Sequence, residues 1–216
     1  MARTKKKNPP ATRRIRDREA TRKRLIDAVG VLLARRGFPA LGVNVVAREA
    51  GVDKVLIYRY FGGLPGLIRA FGREGDFWPG AEEIMGRPPR DFLALKPVDR
   101  FLALAKGYAR AIRRRPLTLE IMAWEMVERN ELTMELENIR EEAMGRLLAA
   151  IAPAEESNLD IEAISALFGA AINYLAARAR HITVFSGVEN LDGPEGWARL
   201  EKSMERIVRS LFILGA

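Results

Sequence analysis

The stretch Val43–Gly63, "VNVVAREAGVDKVLIYRYFGG", decides the fold class of this chain. Apolar residues recur three and four positions apart on both sides of its central Ala-Gly-Val-Asp, which predicts two short helices joined by a turn. We expect the first helix at Val43–Ala50 and the second at Lys54–Phe61, where a pair of glycines follows. Two helices joined by a short, glycine-containing turn form a helix-turn-helix. Because a helix of about two turns is marginal alone, neighbouring helices have to hold it in place.

The second of these helices divides into an inward and an outward face. Asp53 is placed to cap its N-terminus, since a carboxylate there can accept hydrogen bonds from first-turn amides. Ile57 and Phe61 are expected to face inward, together with either Val55 or Leu56. Four polar side chains are left to project outward: Lys54, Tyr58, Arg59 and Tyr60. Such a face fits a DNA major groove, because cations contact phosphate or guanine and tyrosine hydroxyls reach phosphate oxygens.

Helical patterns flank this motif on both sides. From about Arg18 to Arg36 the apolar residues follow helical spacing, and Gly37 is suited to end that helix. After the motif, "GGLPGLIRAFGREGDFW" predicts a fourth helix with Pro65 in its first turn, where no amide hydrogen is needed.

The remaining two thirds of the chain is also predicted to be helical. Residues 79–97 contain four prolines and are expected to be a connector with a short helical piece. Five longer helices are predicted, at about 97–114, 117–129, 131–152, 159–184 and 194–214. Few segments alternate with the period of two that is typical of strands. The chain is therefore predicted to be all-α, with about nine helices.

Composition narrows the class of protein. The chain has 216 residues, of which 48% are hydrophobic and 30% charged, as in a globular protein of one or two domains. It has no cysteine, which excludes disulfides and thiolate metal sites. No signal-like start and no run of 18 apolar residues is present, so we expect a cytoplasmic protein without a membrane partner.

Enzyme motifs are absent from the sequence. The single histidine, His181, lies near a predicted helix end, and the pair Glu141–Glu142 projects in two directions from a helix. No glycine-rich phosphate loop follows a strand, and no Gly-x-Ser-x-Gly elbow occurs. We expect no enzymatic activity, no metal and no cofactor.

The net charge of +8 is unevenly distributed. Residues 1–24 hold 11 Lys and Arg against two acidic residues, whereas residues 71–216 have a net charge of −4. A basic N-terminal third on an acidic remainder indicates a polyanionic partner for that third. For residues 1–16 alone, a disordered basic arm that contacts DNA and a tail that only aids solubility remain alternatives.

The segments "TRKRLIDAVGVLLARRGF" and "LGVNVVAREAGVDKVLIYRYF" resemble the DNA-binding domain of the TetR family of bacterial transcriptional regulators. The resemblance covers residues 21–71 and includes the helix that ends in Gly-Phe, the Ala-Gly-Val before the second helix and the Tyr-x-Tyr-Phe within it. It implies a homodimer that binds a palindromic operator in double-stranded DNA. It also implies a C-terminal helical domain whose small-molecule effector releases the DNA. By position, it assigns DNA contacts to Lys54, Val55, Tyr58, Arg59 and Tyr60.

Three positions depart from the pattern of the family. Gly42 stands where a threonine often caps the first helix of the motif and meets a phosphate. Asp53 replaces a serine and brings a negative charge close to DNA, and Leu64 replaces a lysine that opens the fourth helix. These departures are expected to weaken the usual phosphate contacts, and we expect the basic arm to offset them.

Two sets of residues are candidates in the C-terminal part. Aromatic and Met residues at helical spacing usually form an ordinary core, and the resemblance implies that some of them line a ligand cavity between helices. The ligand candidates are Phe101, Tyr108, Trp124, Met126 and Asn173. The Gly- and Ala-rich helix 159–184 and the stripe of the last helix are suited to pairing with a second copy, with an intramolecular core as the alternative. The dimer candidates are Phe168, Ala171, Leu175, Trp197, Met204 and Leu211.

The sequence thus predicts an all-α protein with three parts. These are a disordered arm at 1–16, a three-helix DNA-binding domain at 17–71 and a ligand-binding and dimerisation domain at 72–216. The leading interpretation is a dimeric repressor that an apolar small molecule releases from its operator. The alternatives are a sequence-tolerant structural DNA-binding protein without an effector, and a helical enzyme or carrier that retains only the fold.

Overall fold

The computed structural model describes residues 11–149 and 159–214, and the protein is all-α as predicted. The described helices are α1 Ala11–Arg36, α2 Val43–Glu49, α3 Val55–Phe61, α4 Leu64–Glu74, α5 Ala81–Met85, α6 Pro89–Leu93, α7 Pro97–Arg113, α8 Pro116–Glu125, α9 Glu131–Ala149, α10 Ile161–Arg178 and α11 Pro194–Leu214. A 3-10 turn, Phe38–Ala40, follows α1.

The prediction of about nine helices is too low, since eleven lie in the described residues. The connector at 79–97 contains two short helices, α5 and α6, where one helical piece was expected. Each has five residues, about one and a half turns, which is too short to show a clear helical periodicity of apolar residues in the sequence. Helix α10 also ends earlier than predicted, at Arg178 instead of residue 184.

Helix α1 begins at Ala11, before the predicted start near Arg18. The prediction of disorder for residues 1–16 is therefore wrong for residues 11–16, while residues 1–10 lie outside the described residues. Residues 11–16 contain one alanine and three arginines, and alanine and arginine are strong helix formers. The segment contains no glycine or proline, which would disfavour a helix. The prediction gave their charge more weight than their helix propensity.

The first of two compact units of the chain extends to Gly75. Helix α1 packs on α2 and α4, and α3 packs on α4. The fully buried residues of this unit come from all four helices: Leu25, Val29, Leu33, Val46, Ile57, Leu67 and Ile68. Gly37 follows α1 with a φ of 68°, which confirms its predicted role as the residue that ends the helix.

The second unit begins at Asp76 and is built around α7. Helices α5, α8, α10 and α11 all pack against α7. Its most deeply buried side chains include Phe92, Ile112 and Trp197. None of the described helices is long and apolar enough to cross a membrane. That the two units are separate DNA-binding and ligand-binding domains stays a prediction at this point.

Candidate nucleic-acid interface and small-molecule cavity

A tight turn joins α2 to α3. The amide of Gly51 donates to the carbonyl of Arg48 at 3.2 Å, and the amide of Val52 donates to the carbonyl of Ala47 at 3.0 Å. The carboxylate of Asp53 accepts from the amide of Val55 at 2.8 Å. This hydrogen bond confirms the prediction that the carboxylate of Asp53 accepts from a first-turn amide of α3.

The two faces of α3 have different environments. Ile57 is completely buried, as predicted, and Leu56 is half-buried. Val55 is 51% exposed and Tyr58 is 58% exposed. Of the two inward candidates at the start of α3, Leu56 therefore faces the core. An outward surface remains, which we call the reading face: Lys54, Val55, Tyr58 and Arg59, all exposed. Whether these side chains contact DNA stays a prediction.

Tyr60 differs from the other predicted contacts because α1 covers part of it. The guanidinium of Arg18 lies over the Tyr60 ring, 5.4 Å from its centroid, and Tyr60 is half-buried. The guanidinium of Arg22 lies 5.1 Å from the centroid of the Phe61 ring. The expectation that Tyr60 projects freely outward is therefore wrong, since its ring faces α1.

Arg22 also joins α1 to α4. Both of its terminal nitrogens donate to the carboxylate of Glu74, which lies 52 residues away in the sequence. This pairing lowers the pKa of Glu74, because hydrogen bonds from Arg22 stabilise the charged carboxylate. Arg22 thus fixes the C-terminal end of α3, through Phe61, and the end of α4. Local sequence patterns could not reveal a contact over such a distance.

The structure accounts for two glycines near the reading face. A Cβ atom on Gly66 would lie 1.9 Å from the carbonyl oxygen of Phe61, so only glycine permits α4 to approach the end of α3 so closely. Gly42 is different: its backbone is extended, no side chain caps α2, and a Cβ atom would meet nothing within 4 Å. The space for the family's capping threonine is therefore present at position 42.

The second unit contains a small apolar cavity between α5, α7, α9 and α10. Its volume is about 40 Å³. The residues that line it are Ile84, Phe101, Leu104, Ala105, Tyr108, Met144, Leu147, Leu148, Ser165, Phe168, Gly169 and Ile172. Two of the five ligand candidates, Phe101 and Tyr108, are among them.

Two polar groups lie at this cavity. The hydroxyl of Ser165 is buried and has no hydrogen-bond partner among the residues that the structure describes. The hydroxyl of Tyr108 donates to the side-chain oxygen of Asn173. Burial raises the pKa of Tyr108 well above its ordinary value, so the phenol keeps its proton and remains a donor. Asn173 does not line the cavity itself but orients the phenol of Tyr108.

The other ligand candidates lie elsewhere. Met126 is 68% exposed and lines a polar cleft between α8 and α9. In that cleft the carboxylate of Glu125 pairs with the guanidinium of Arg140 at 2.7 Å. Trp124 lines neither the cavity nor this cleft. The assignment to the cavity is therefore wrong for Met126 and Trp124, because neither side chain is among those that line it.

The dimer candidates are divided between the interior and the surface. Trp197 is 2% exposed, and its indole nitrogen donates to the carbonyl of Leu191 at 2.8 Å. Its assignment to a dimer interface is wrong, because the core of its own chain already covers it. Phe168 lines the cavity and packs edge-on against the Phe101 ring, with 5.7 Å between the centroids. Leu175, Met204 and Leu211 are half-buried, and Ala171 is exposed.

Two apolar stripes remain exposed on the helices that flank α7. Helix α10 exposes Leu167, Ala170, Ala171 and Tyr174, which are spaced as one helical face. Helix α11 exposes Ile207 and Leu214, with half-buried Leu211 on the same face. Of the α10 stripe, only Ala171 was predicted as an interface residue. Helix α10 is apolar on nearly every side, so its periodicity does not indicate which side is buried.

A helix-turn-helix with an exposed basic and aromatic reading face, on a protein with a second helical unit, defines a DNA-binding transcriptional regulator. Residues 25–71 match the family model described as "Bacterial regulatory proteins, tetR family". This match confirms the predicted resemblance to the TetR family of bacterial transcriptional regulators.

Similar proteins support this assignment. The chain is 26% identical over 205 residues to the HTH-type transcriptional repressor SCO4008 of Streptomyces coelicolor, covering 89% of this chain and 97% of that protein. Among solved structures, NalD of Pseudomonas aeruginosa, the secondary repressor of the MexAB-OprM multidrug efflux pump, matches with a TM-score of 0.60 at 18% identity, over 87% of this chain and 96% of NalD. A putative TetR-family regulator of Rhodococcus sp. matches with a TM-score of 0.58 at 20% identity, over 88% and 99% of the two chains. At these identities the solved structures support the fold alone.

Proposed function

We propose that the protein is a homodimeric repressor whose two reading faces bind a palindromic operator, and that an apolar small molecule releases it from the DNA. The observation that carries the proposal is the reading face, on which Lys54, Tyr58 and Arg59 are exposed while Ile57 anchors α3 in the core. The similarity to a named repressor supports repression as the outcome of binding.

The DNA-binding part of the proposal is tested at two residues of the reading face. Lys54→Ala removes a cation and Tyr58→Phe removes a hydroxyl, and both side chains are exposed, so the fold should be unaffected. We expect each variant to lower the affinity for the operator about tenfold, the usual effect of losing one charged or polar contact. The measurement is a gel shift with the promoter region of the protein's own gene, with random DNA for comparison.

Matched controls for these variants lie in the second unit. Lys202→Ala removes an exposed lysine of α11, and Thr183→Val removes an exposed hydroxyl after α10, outside both apolar stripes. Neither should change the affinity for DNA. If the wild type bound the promoter and random DNA equally well, the sequence-tolerant alternative would replace the repressor.

The effector part of the proposal is supported by the cavity. Its lining is apolar apart from the hydroxyl groups of Ser165 and Tyr108, which fits a mostly apolar ligand that carries a polar group. At about 40 Å³ the cavity is far smaller than typical ligand sites. A ligand therefore has to displace side chains, and Met144 and Leu148 are flexible enough to move. A ligand that pushes apart the helices around α7 binds better to this expanded state than to the state that the structure describes. Such a difference in affinity between two states is what a ligand needs in order to release the DNA.

This effector mechanism predicts that an apolar ligand raises the melting temperature and lowers operator affinity together. A library of apolar compounds screened by thermal shift should contain such ligands. Tyr108→Ala should weaken their binding at least tenfold and DNA binding much less, because it removes part of the cavity wall. Trp124→Ala is the matched control, since that aromatic residue lies outside the cavity lining. If a compound raised the melting temperature of Tyr108→Ala as much as that of the wild type, the effector site would lie elsewhere.

A further inference from the structure

A basic cleft lies on the second unit, on elements different from those around the apolar cavity. It has a volume of about 360 Å³ and is formed by the ends of α7 and α10, the start of α8 and the region before α11. Its lining residues are Arg110, Arg113, Arg114, Pro116, Leu119, Ala176, Ala179, Arg180, Asp192 and Trp197. It shares none of them with the apolar cavity.

The basic cleft is positively charged, although the unit to which it belongs has a net negative charge. Residues 76–216 contain 18 Lys and Arg against 22 Asp and Glu, so this part of the chain is acidic. The cleft nevertheless brings four guanidinium groups together with a single lining carboxylate, that of Asp192. A general excess of arginine on this unit therefore does not explain the cluster.

Most of these guanidinium groups lack a close counter-charge. Arg180 is paired with Glu120 at 2.7 Å. In the part of the chain that the structure describes, no carboxylate oxygen lies within 4.0 Å of the other three, Arg110, Arg113 and Arg114. The like charges therefore repel one another, and a bound anion would offset that repulsion.

Arg113 shows that the cleft is partly desolvated. Its guanidinium lies over the Trp197 ring, 4.4 Å from the centroid, and Trp197 is almost completely buried. Burial lowers the pKa of Arg113, and the distant charge of Glu201 offsets this only in part. A cation that is held away from water gains more from an anionic partner than an exposed one does.

We propose that the basic cleft binds a small, multiply charged oxyanion, such as a phosphorylated or polycarboxylate metabolite, as a ligand site separate from the apolar cavity. Guanidinium groups match the geometry of phosphate and carboxylate oxygens and bind them in pairs of hydrogen bonds. Three arginines without a close counter-charge, against the one lining aspartate, favour a ligand with more than one negative charge. The volume lies within the range of small-molecule sites, and Leu119, Ala176 and Trp197 provide an apolar floor for the rest of the ligand.

The test uses the full chain with 5-fluorotryptophan at its three tryptophan positions, and pyrophosphate as the probe. Residues 1–75 contain no tryptophan, so anions that bind the basic N-terminal third give no signal of their own. The ¹⁹F resonance of Trp197 is assigned with Trp78→Phe and Trp124→Phe variants. At constant ionic strength, pyrophosphate should shift the Trp197 resonance saturably and leave the other two unchanged. A parallel titration with citrate distinguishes a carboxylate ligand from a phosphate ligand.

Variants localise the effect. The double variant Arg110→Ala/Arg114→Ala removes two exposed cleft arginines and should weaken binding at least tenfold, with an unchanged circular dichroism spectrum. The matched control Arg178→Ala/Arg206→Ala removes two exposed arginines that do not line the cleft, and it should bind as the wild type does. The proposal is wrong if neither anion gives a saturable shift of Trp197, or if the cleft variant retains the wild-type affinity.

Discussion

Asp53 shows how one residue serves the structure at the edge of a proposed DNA interface. Its negative charge close to DNA is a departure from the pattern of the family, but its carboxylate accepts from the amide of Val55 at 2.8 Å. A negative charge at this end of α3 also interacts favourably with the helix dipole. The residue therefore stabilises the start of the reading helix, as the serine that it replaces would, and the charge itself is partly compensated by the helix.

Gly42 is a departure from the family's pattern at which the structure leaves room for a side chain. Gly42→Ser places a hydroxyl at the start of α2, where the backbone is extended and a Cβ atom meets nothing within 4 Å. We expect a gain in unfolding free energy of about 0.5–1 kcal/mol, from the new cap and from the lower entropy of the unfolded chain. Operator affinity should rise as well, because the hydroxyl can reach a phosphate. Calorimetry and gel shifts measure the two effects.

Gly80→Ser is the control for this substitution. Gly80 precedes α5 with an extended backbone and equal space around it, but it lies in the second unit. Its variant should gain similar stability and no DNA affinity. A rise in DNA affinity in both variants would mean that stability alone, and not a phosphate contact, is responsible.

At the scale of single residues, the sequence predicted what depends on near neighbours. Asp53 and Gly37 act on backbone within a few positions, and Ile57 follows from helical spacing, so all three predictions are confirmed. Trp197 and Met126 were assigned wrongly because their environment depends on tertiary packing. The sequence does not say that Leu191 and Arg113 enclose the indole, or that α8 ends before Met126.

At the scale of elements, the reading helix depends on its neighbours for its position. Helix α3 has seven residues and is too short to be stable alone. Helix α1 covers its C-terminal rings with Arg18 and Arg22, and Gly66 allows α4 to approach Phe61 closely. Because the pair Arg22–Glu74 joins α1 to α4, a change in that pair should alter how firmly α3 is held.

This pair makes the stability of the first unit dependent on pH. The pKa of Glu74 is lower in the folded protein than the ordinary value of 4.5, because Arg22 stabilises the carboxylate. The pair thus contributes stability above about pH 4.5, and the contribution is lost as the pH falls through the lowered pKa. We expect Glu74→Gln to reduce the hydrogen-exchange protection of α1 and α4 at pH 7. The difference from the wild type should shrink steadily below pH 4.5.

The effect should be modest, since both side chains are partly exposed to solvent. Glu141→Gln, which replaces an exposed carboxylate of α9, is the control and should leave α1 and α4 unchanged. A constant difference between Glu74→Gln and the wild type from pH 7 to pH 3 would exclude titration of Glu74 as the cause.

Prediction at the scale of elements succeeded where a helix has one apolar face. Helix α7 buries Phe101, Leu104, Tyr108 and Ile112 at the predicted spacing. Helix α10 is apolar nearly all round, so its buried side could be determined only once α7 and α8 were in place. For the same reason Phe168, expected at a dimer interface, lies at the cavity, while Leu167 beside it faces outward.

At the scale of the whole molecule, the distribution of charge and of exposed apolar surface separates two kinds of contact. The basic residues concentrate in the N-terminal third, where a polyanion would bind. The exposed apolar stripes of α10 and α11 lie in the acidic remainder. Exposed apolar stripes of this kind mark surfaces that proteins use for association. A second copy of the chain is the partner that the proposed palindromic operator requires, since two reading faces are needed for two half-sites.

Leu167→Glu tests this arrangement most directly. Leu167 is 73% exposed on the α10 stripe, so a charge there should leave the fold of the subunit intact, yet it would be buried without a partner in a dimer. Leu211→Glu is less informative, because Leu211 is half-buried and its loss would also disturb the subunit core. We expect Leu167→Glu to be monomeric by light scattering and to lose at least a hundredfold in operator affinity, since each monomer holds only one half-site.

Val127→Glu is the control. Val127 is 75% exposed after α8 and lies outside both stripes, so its variant should remain dimeric and bind DNA as before. A dimer that survives Leu167→Glu would place the interface on another surface, and a monomer with full operator affinity would show that DNA binding does not need the second copy.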